Sequence, residues 1–350
     1  MTPEAAAYFE FFAREAASGG SPLYERLSMM LARDERLQEL AAGARPEQPQ
    51  ANIIFGAVHF LLLGGADHPL KDYYPSVGGA RAADADAETA FGDFCNAYEA
   101  ELRPLIASRI TNTNEVGRSA VLAPGFARVA EETGLALALV EIGPSAGLNL
   151  NFDRYAYRYV DGDGSVLSEH WGPSLVTISS HAKASPPPLP ARPPVVASRI
   201  GLELNPVNLA DEADRRWLKA LVWPERSERF ERLEAALKLG AQYPPPIRAG
   251  DALALLPEII GALADTVAPC IFHSLVTYQF TDEMRARFDE LLLGVSRKRP
   301  LWRLSMEMEG LSGRIPLTFA RYEAGEKTSR ELAECGPHGL WINWLYTGFR

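Results

Sequence analysis

A short apolar run followed by a glycine-rich turn is the part of this sequence with the clearest chemical pattern. Residues 135–142 are apolar except for Glu141, and Gly-Pro-Ser-Ala-Gly follows at 143–147. An unbroken apolar run bounded by glycines predicts a strand that is buried on both faces of a parallel sheet. Such sheets bind ligands beyond the carboxyl ends of their strands, where glycine lets the backbone come close to the ligand. We therefore expect a ligand-binding loop at 143–147.

The spacing of these residues distinguishes between cofactors. The dinucleotide fingerprint G-x-G-x-x-G would need two further glycines, one of them at Ser145. The pattern Glu-x-Gly-x-x-x-Gly instead resembles motif I of the class I methyltransferases, which bind S-adenosylmethionine. This resemblance implies that the loop of Gly143, Pro144, Ser145 and Gly147 wraps the amino-acid and ribose part of the cofactor. It also implies that Glu141 holds the cofactor ammonium group, directly or through water.

Later segments extend the same resemblance. In class I methyltransferases an acid at the end of the second strand grips the ribose hydroxyls, and here Glu203 takes that position, followed by Asn205. A carboxylate suits this task because its two oxygens match two vicinal hydroxyl donors. Asp251 and Ala252 resemble the pair that contacts adenine.

The number of residues between Glu141 and Glu203 is larger than in a simple strand–helix–strand unit. Glu203 lies 62 residues after Glu141 (203 minus 141), whereas about 20 residues normally separate the glycine loop from this acid. We interpret the excess as an insertion at about 152–194. It starts with alternating tyrosines and a turn that predict a β-hairpin, and it ends in a proline-rich connector at 184–194.

Polar side chains are also expected at the reaction face. His273 and Ser274 end a predicted fourth strand, so we place both at the cofactor, and His273 has the titration range of a general base. Asn114 and Arg118 belong to a polar segment before the sheet and are predicted to line the substrate cleft. The alternative for these two is helix capping and pairing with an acid. Asn149 follows the glycine loop and is also predicted to contact the cofactor.

A second chemistry fits the same loop. Residues 143–147 also match the G-x-S-x-G string of serine hydrolases, with Ser145 as nucleophile. Asp251 and His273 follow in the required chain order, and His338 offers another histidine. However, no H-G-G-G oxyanion motif precedes the strand, and Glu141 and Glu203 have no role in hydrolysis.

A wider set of segments is similar to one bacterial family. They include Thr-Asn-Glu-Val-Gly-Arg at 113–118, Ser-Ala-Gly-Leu-Asn-Leu at 145–150 and Tyr-Tyr-Pro-Ser at 73–76, and His273-Ser274 belongs to the same set. Together they resemble the family catalogued as domain of unknown function 2332, over nearly the whole chain. That resemblance implies a fold and assigns no substrate. In this family we expect aspartate more often at the position of Glu203.

The elements that position these residues predict an α/β protein. Residues 1–133 read as a helical cap domain, and strands alternating with helices in 134–350 predict a doubly wound, class I methyltransferase-like sheet. Further strands are predicted at 195–204, 247–249, 269–276 and 301–308, and a closing antiparallel pair at 317–323 and 339–345. We expect the cap to close over a small or medium-sized acceptor. A cofactor-binding protein of the same fold without catalysis stays open as an alternative.

Composition limits the other classes. The 350 residues carry 35 Lys and Arg against 45 Asp and Glu, a net charge of −10 that disfavours nucleic acid. Three widely spaced cysteines and scattered histidines predict no disulfide framework and no metal site. No apolar stretch approaches the length of a membrane span, and the first residues do not resemble a signal peptide. We therefore expect a cytoplasmic protein that does not associate with membranes; the sequence predicts no oligomeric state.

Overall fold

A computed structural model of the chain describes residues 3–310 and 312–346. These residues divide into two compact units. The first comprises residues 3–113 with Ala210–Glu234, and the second comprises Asn114–Leu209 with residues 235–346.

Helices occur in both units, and their buried faces follow the apolar spacing of the sequence. The first unit packs aromatic and aliphatic side chains such as Phe9, Leu27, Ile54 and Trp217 into one core. Two consecutive helices, Ala85–Ala97 and Glu99–Ser108, meet at Tyr98. The α-helices are α1 (Pro3–Ser18), α2 (Pro22–Leu31), α3 (Glu35–Ala41), α4 (Gln50–Leu63), α5 (Ala85–Ala97), α6 (Glu99–Ser108), α7 (Ser119–Thr133), α8 (Glu212–Ala220), α9 (Ser227–Gln242), α10 (Ala252–Gly261) and α11 (Asp282–Ser296).

The strands all lie in the second unit, where the described residues form an 11-stranded sheet. Its spatial order is β3-β2-β4-β11-β10-β9-β8-β7-β1-β5-β6. The strands are β1 (Ala136–Ile142), β2 (Ala156–Val160), β3 (Val166–His170), β4 (Thr177–Ala182), β5 (Val196–Glu203), β6 (Ile247–Ala249), β7 (Val267–Ser274), β8 (Leu301–Met306), β9 (Pro316–Glu323), β10 (Glu326–Cys335) and β11 (Trp341–Trp344).

A parallel block at one side of the sheet carries the predicted ligand loop. Strands β6, β5, β1, β7 and β8 are neighbours in this order and all run parallel. In sequence order this block reads 3-2-1-4-5, the order of a doubly wound sheet. Val140 and Ile142 of β1 pack with α10 and α11, while Phe272 of β7 meets Phe126 of α7 on the opposite face. The predicted mixed α/β architecture and its parallel strands are confirmed.

The far side of the sheet corrects one prediction. The expected pairing of 317–323 with 339–345 is wrong, because β10 lies between β9 and β11 and pairs antiparallel with both. The sequence of β10, Glu-Lys-Thr-Ser-Arg-Glu-Leu-Ala-Glu-Cys, is charged at five of its ten positions and lacks the apolar run that predicts a strand. The first four residues of β10 are exposed, so apolar side chains are not needed there.

The predicted hairpin in the insertion is confirmed, and it extends the sheet. Strands β2 and β3 pair antiparallel, and β2 continues through β4 to β11. Tyr159 of β2 donates its hydroxyl to the carbonyl of Ala120 at 2.7 Å. That carbonyl lies four residues before Pro124 within α7, and proline has no N–H to donate to it. The tyrosine thus supplies the hydrogen bond that the proline removes from the helix.

No helix within the described ranges is both long and apolar enough to cross a membrane.

Candidate functional site

The loop after β1 is shaped by residues in the left-handed region. Gly143 has φ +66° and Gly147 has φ +73°. A Cβ on Gly143 would lie 2.8 Å from a methyl group of Val276, and one on Gly147 would lie 2.8 Å from Cγ of Pro245. Backbone conformation and packing therefore both require glycine at these positions. The glycines alone do not identify a ligand.

A short helix begins directly after this loop. Residues Leu148–Arg154 form a 3₁₀ helix with a kink at Asn151, and β2 begins two residues later. The first N–H of this short helix is not open for a phosphate, because the backbone N–H of Leu148 donates to Oδ1 of Asn114 at 2.9 Å. Asn114 thus acts here as a cap, which is the alternative the sequence left open. Its place in a substrate cleft stays a prediction.

Glu141 is a buried acid at the carboxyl end of β1. It is 2% exposed, and its Oε2 has no hydrogen-bond partner. Burial raises the pKa of Glu141 to about 8. A hydrogen bond from Asn149 lowers this pKa, the negative charge of Glu203 raises it, and the positive charge of Arg118 lowers it. Asn149 is itself held by Ser119, whose hydroxyl donates to its Oδ1 at 2.7 Å. Among the hydrogen-bonded side chains of Glu141, Asn149 and Ser119, Oε2 of Glu141 is thus a buried acceptor that no donor satisfies.

Glu203 joins the glycine loop to the end of β5. Its Oε2 accepts the backbone N–H of Ser145 at 2.9 Å, and its Oε1 accepts the N–H of Asn205 at 3.1 Å. Each carboxylate oxygen has two lone pairs, so each keeps capacity for one further donor. Pro144 packs on the same strand, because its Cγ lies 2.6 Å from where a Cβ on Gly201 would stand. The second acid of the predicted site is therefore beside the loop.

Asp251 and Ala252 follow β6, the next strand along the same edge. Asp251 is exposed and caps α10, where its side chain accepts the N–H of Leu253 at 2.9 Å. Ala252 is buried in the core of the sheet with residues of α10. The preceding residue, Gly250, donates its backbone N–H to the carbonyl of Glu203 at 2.9 Å. Asp251 therefore comes directly after a residue that is hydrogen-bonded to Glu203, the acid beside the loop of 143–147.

His273 forms a pair that sequence reasoning missed. Its Nδ1 is 2.6 Å from Oε1 of Glu307, which comes directly after β8, and its Nε2 is buried without a partner. The backbone N–H groups of Val276 and Thr277 also donate to this carboxylate. Burial by itself would raise the pKa of Glu307, but the bonds from His273 and these N–H groups hold it below its ordinary value. The available signal was an acid, Glu307, next to the last residue of the strand predicted at 301–308.

Arg118 ties loop segments together. Its guanidinium donates to the carbonyl of Ser274 at 2.8 Å and to that of Pro337 at 2.9 Å, so it connects the end of β7 to the turn before β11. A longer contact of 3.4 Å reaches the Ser274 hydroxyl. These bonds give Arg118 a structural task, and its predicted role at a substrate stays a prediction.

The hydrolase alternative requires partners that are otherwise engaged. Asp251 caps α10, and the acid on His273 is Glu307. His338 has its Nδ1 3.5 Å from Oε2 of Glu115. Ser145 does have φ +56°, a strained backbone of the kind found at nucleophile turns.

Metal and redox chemistry receive no support from side-chain clustering. Across 3–310 and 312–346, no three His, Cys, Asp or Glu side chains are grouped as metal ligands would be. Cys95, Cys270 and Cys335 are all buried and unpaired with one another.

Comparison with known proteins identifies a family. The model of a family described as an uncharacterized protein conserved in bacteria (DUF2332) matches residues 6–344. The chain belongs to this family. No curated protein and no solved structure matches the chain. Membership in DUF2332 confirms the resemblance to this bacterial family, whose description assigns no activity.

Proposed function

We propose that this DUF2332 protein is an S-adenosylmethionine-dependent methyltransferase that acts on a small or medium-sized acceptor. The parallel block with its 3-2-1-4-5 order supports a fold of the class I methyltransferase kind. The net charge of −10 favours a small molecule over nucleic acid as acceptor.

One observation carries the proposal: the unpartnered Oε2 of Glu141. Buried polar atoms in folded proteins are nearly always hydrogen-bonded, so an orphaned carboxyl oxygen beside a ligand-type loop needs an explanation. A cationic donor such as the cofactor ammonium group would satisfy it. Such a group would also lower the pKa of Glu141 and so favour its charged form.

The charges at this edge favour a cationic ligand over a dinucleotide. Glu203 borders the loop of 143–147, and its carboxylate would repel a pyrophosphate, which also offers no donor to Oε2 of Glu141. The N–H of Leu148, the first of the 3₁₀ helix, is already bonded to Asn114 and is not available to a phosphate. S-adenosylmethionine carries positive charge and no phosphate.

The residues proposed to contact the ribose and the adenine lie at the ends of neighbouring strands, at the carboxyl edge of the parallel block. Glu203 would accept the ribose hydroxyls with its remaining lone pairs, and its bond to the N–H of Ser145 fixes the loop around them. Asp251, at the end of the next strand, would meet the adenine. Glutamate at 203 is longer than the expected aspartate, and it accepts the N–H of Ser145 at 2.9 Å.

Methyl transfer needs alignment more than acid–base chemistry. The bound cofactor supplies a methyl group on a sulfonium, which is already reactive, so the protein orients the acceptor and excludes water. Where the acceptor must lose a proton, the pair His273 and Glu307 would take it. Glu307 holds Nδ1 of the ring, which leaves the lone pair of Nε2 as the proton acceptor.

The proposal is tested by turnover. The purified protein is incubated with S-adenosylmethionine bearing an isotopically labelled methyl group and with a bacterial small-molecule extract. We expect S-adenosylhomocysteine and a labelled metabolite, both strongly reduced in Glu203→Gln. Cofactor binding without either product would favour the non-catalytic alternative, and absence of binding would refute the proposal.

A further inference from the structure

A serine hydroxyl and an imidazole ring are hydrogen-bonded to each other within the first unit. His59 lies on α4 and is fully buried, and its Nε2 is 2.6 Å from Oγ of Ser76. Its Nδ1 is 3.0 Å from the carbonyl oxygen of Ala220, the last residue of α8. A carbonyl at the end of a helix has no partner inside that helix, so this one is open to accept a bond from the ring.

These contacts determine which ring nitrogen carries the proton. A carbonyl oxygen only accepts hydrogen bonds, so Nδ1 must be the protonated nitrogen of the neutral ring. Burial lowers the pKa of His59 to about 4, so the ring is neutral at neutral pH and its Nε2 holds a free lone pair. The hydroxyl of Ser76 therefore donates to Nε2. A serine bonded to a histidine that a third group orients is the arrangement of an activated nucleophile.

Ser76 lies in a partly exposed turn. It lies in the 3₁₀ turn Pro75–Val77 and is half-buried, and both Pro75 and Gly78 beside it are exposed. On the inner side, the rings of Tyr74 and Phe230 lie 5.3 and 6.3 Å from the imidazole centroid. The imidazole is thus fully buried beside two aromatic rings, while the serine bonded to it is half-buried in a turn with exposed neighbours.

We propose that Ser76 is a nucleophile that accepts an acyl group from a small activated ester, with His59 as its base. The Oγ of Ser76 bonds to the ester carbonyl carbon while its proton passes to Nε2 of His59. The bond from that carbon to the leaving oxygen then breaks, and the leaving group takes the proton from Nε2. The products are an ester on Ser76 and the free alcohol. This site is independent of the proposed methyl transfer.

The experiment uses the full-length protein and p-nitrophenyl acetate, with a fluorophosphonate probe as a second electrophile. We expect a burst of p-nitrophenol of one per chain and an acetyl group that mass spectrometry locates on Ser76. In Ser76→Ala the burst should be absent, because the hydroxyl that accepts the acetyl group is gone. The matched control is Ser108→Ala, because the exposed Ser108 hydroxyl bonds only to the carbonyl of Pro104. That variant should react like the wild type.

A second measurement uses the unaltered protein, so it does not depend on how a variant folds. The groups facing His59 are Lys219 of α8, whose charge helps to lower its pKa, and Tyr74, whose own pKa is held well above its ordinary value by burial. The burst rate should therefore stay constant from about pH 8 to about pH 5 and fall only as His59 becomes protonated. A rate that falls near pH 6.5 would overturn the assignment. So would labelling at Ser145, or labelling at no serine.

Discussion

Glu141→Gln should change how the stability of the protein depends on pH. Burial raises the pKa of Glu141 to about 8, from an ordinary value of 4.5. Below pH 4.5 the carboxyl is protonated in both the folded and the unfolded chain and adds no pH dependence. Between 4.5 and 8 the unfolded chain releases this proton and the folded chain keeps it, so the wild type loses stability as pH rises.

The magnitude follows from the length of this window. Each pH unit inside it lowers the free energy of unfolding by about 1.4 kcal/mol. Between pH 5 and pH 7 the wild type should thus lose about 3 kcal/mol through this one group. Glutamine is nearly the same size and does not titrate, so the variant should gain that amount relative to the wild type over the same range.

The assay is urea unfolding at pH 5, 6 and 7, followed by tryptophan fluorescence, for the wild type and the variant. Glu290→Gln serves as the control, because Glu290 is exposed on α11 and should leave the pH dependence unaltered. If the two curves of unfolding free energy against pH run parallel for wild type and Glu141→Gln, Glu141 is not a buried neutral acid and the reasoning fails.

Three other substitutions test the packing and hydrogen bonds around the site by urea unfolding. Gly201→Ala should lower the free energy of unfolding by about 1–3 kcal/mol, because its Cβ would press on Pro144; no loss would show that the loop moves freely. Tyr159→Phe should cost about 1–3 kcal/mol, since the carbonyl of Ala120 loses its donor; a neutral result would mean that water replaces the hydroxyl. Glu307→Gln should cost about 2 kcal/mol at neutral pH, and the difference from wild type should shrink in acid, as the low pKa of this acid requires; a constant difference would contradict that role.

The strand that carries the glycine loop was predictable from its apolar composition and from the glycines that flank it. The run at 135–142 is apolar and bounded by glycines, and only a strand buried on both faces needs that composition. β5 is less apolar, and its end at Glu203 agrees with the strand predicted at 195–204. Because Glu141 and Glu203 stand at the ends of neighbouring parallel strands, both acids lie at the carboxyl edge of the sheet.

Other parts depend on tertiary contacts that a single sequence does not display. The polar strand β10 forms because β9 and β11 flank it, and its own composition resembles a loop. The pair of His273 and Glu307 joins two strands that are distant in sequence but adjacent in the sheet. The 3₁₀ form of Leu148–Arg154 follows from the early start of β2 and from the cap that Asn114 provides.

The most direct test of the central claim is a calorimetric titration of the full-length protein with S-adenosylmethionine. The account predicts binding in the micromolar range for the wild type, with the affinity sharply reduced in Glu203→Gln and unchanged in the exposed control Glu290→Gln. Absence of heat at millimolar cofactor, or equal affinity in the wild type and Glu203→Gln, would contradict a cofactor site at the loop of 143–147.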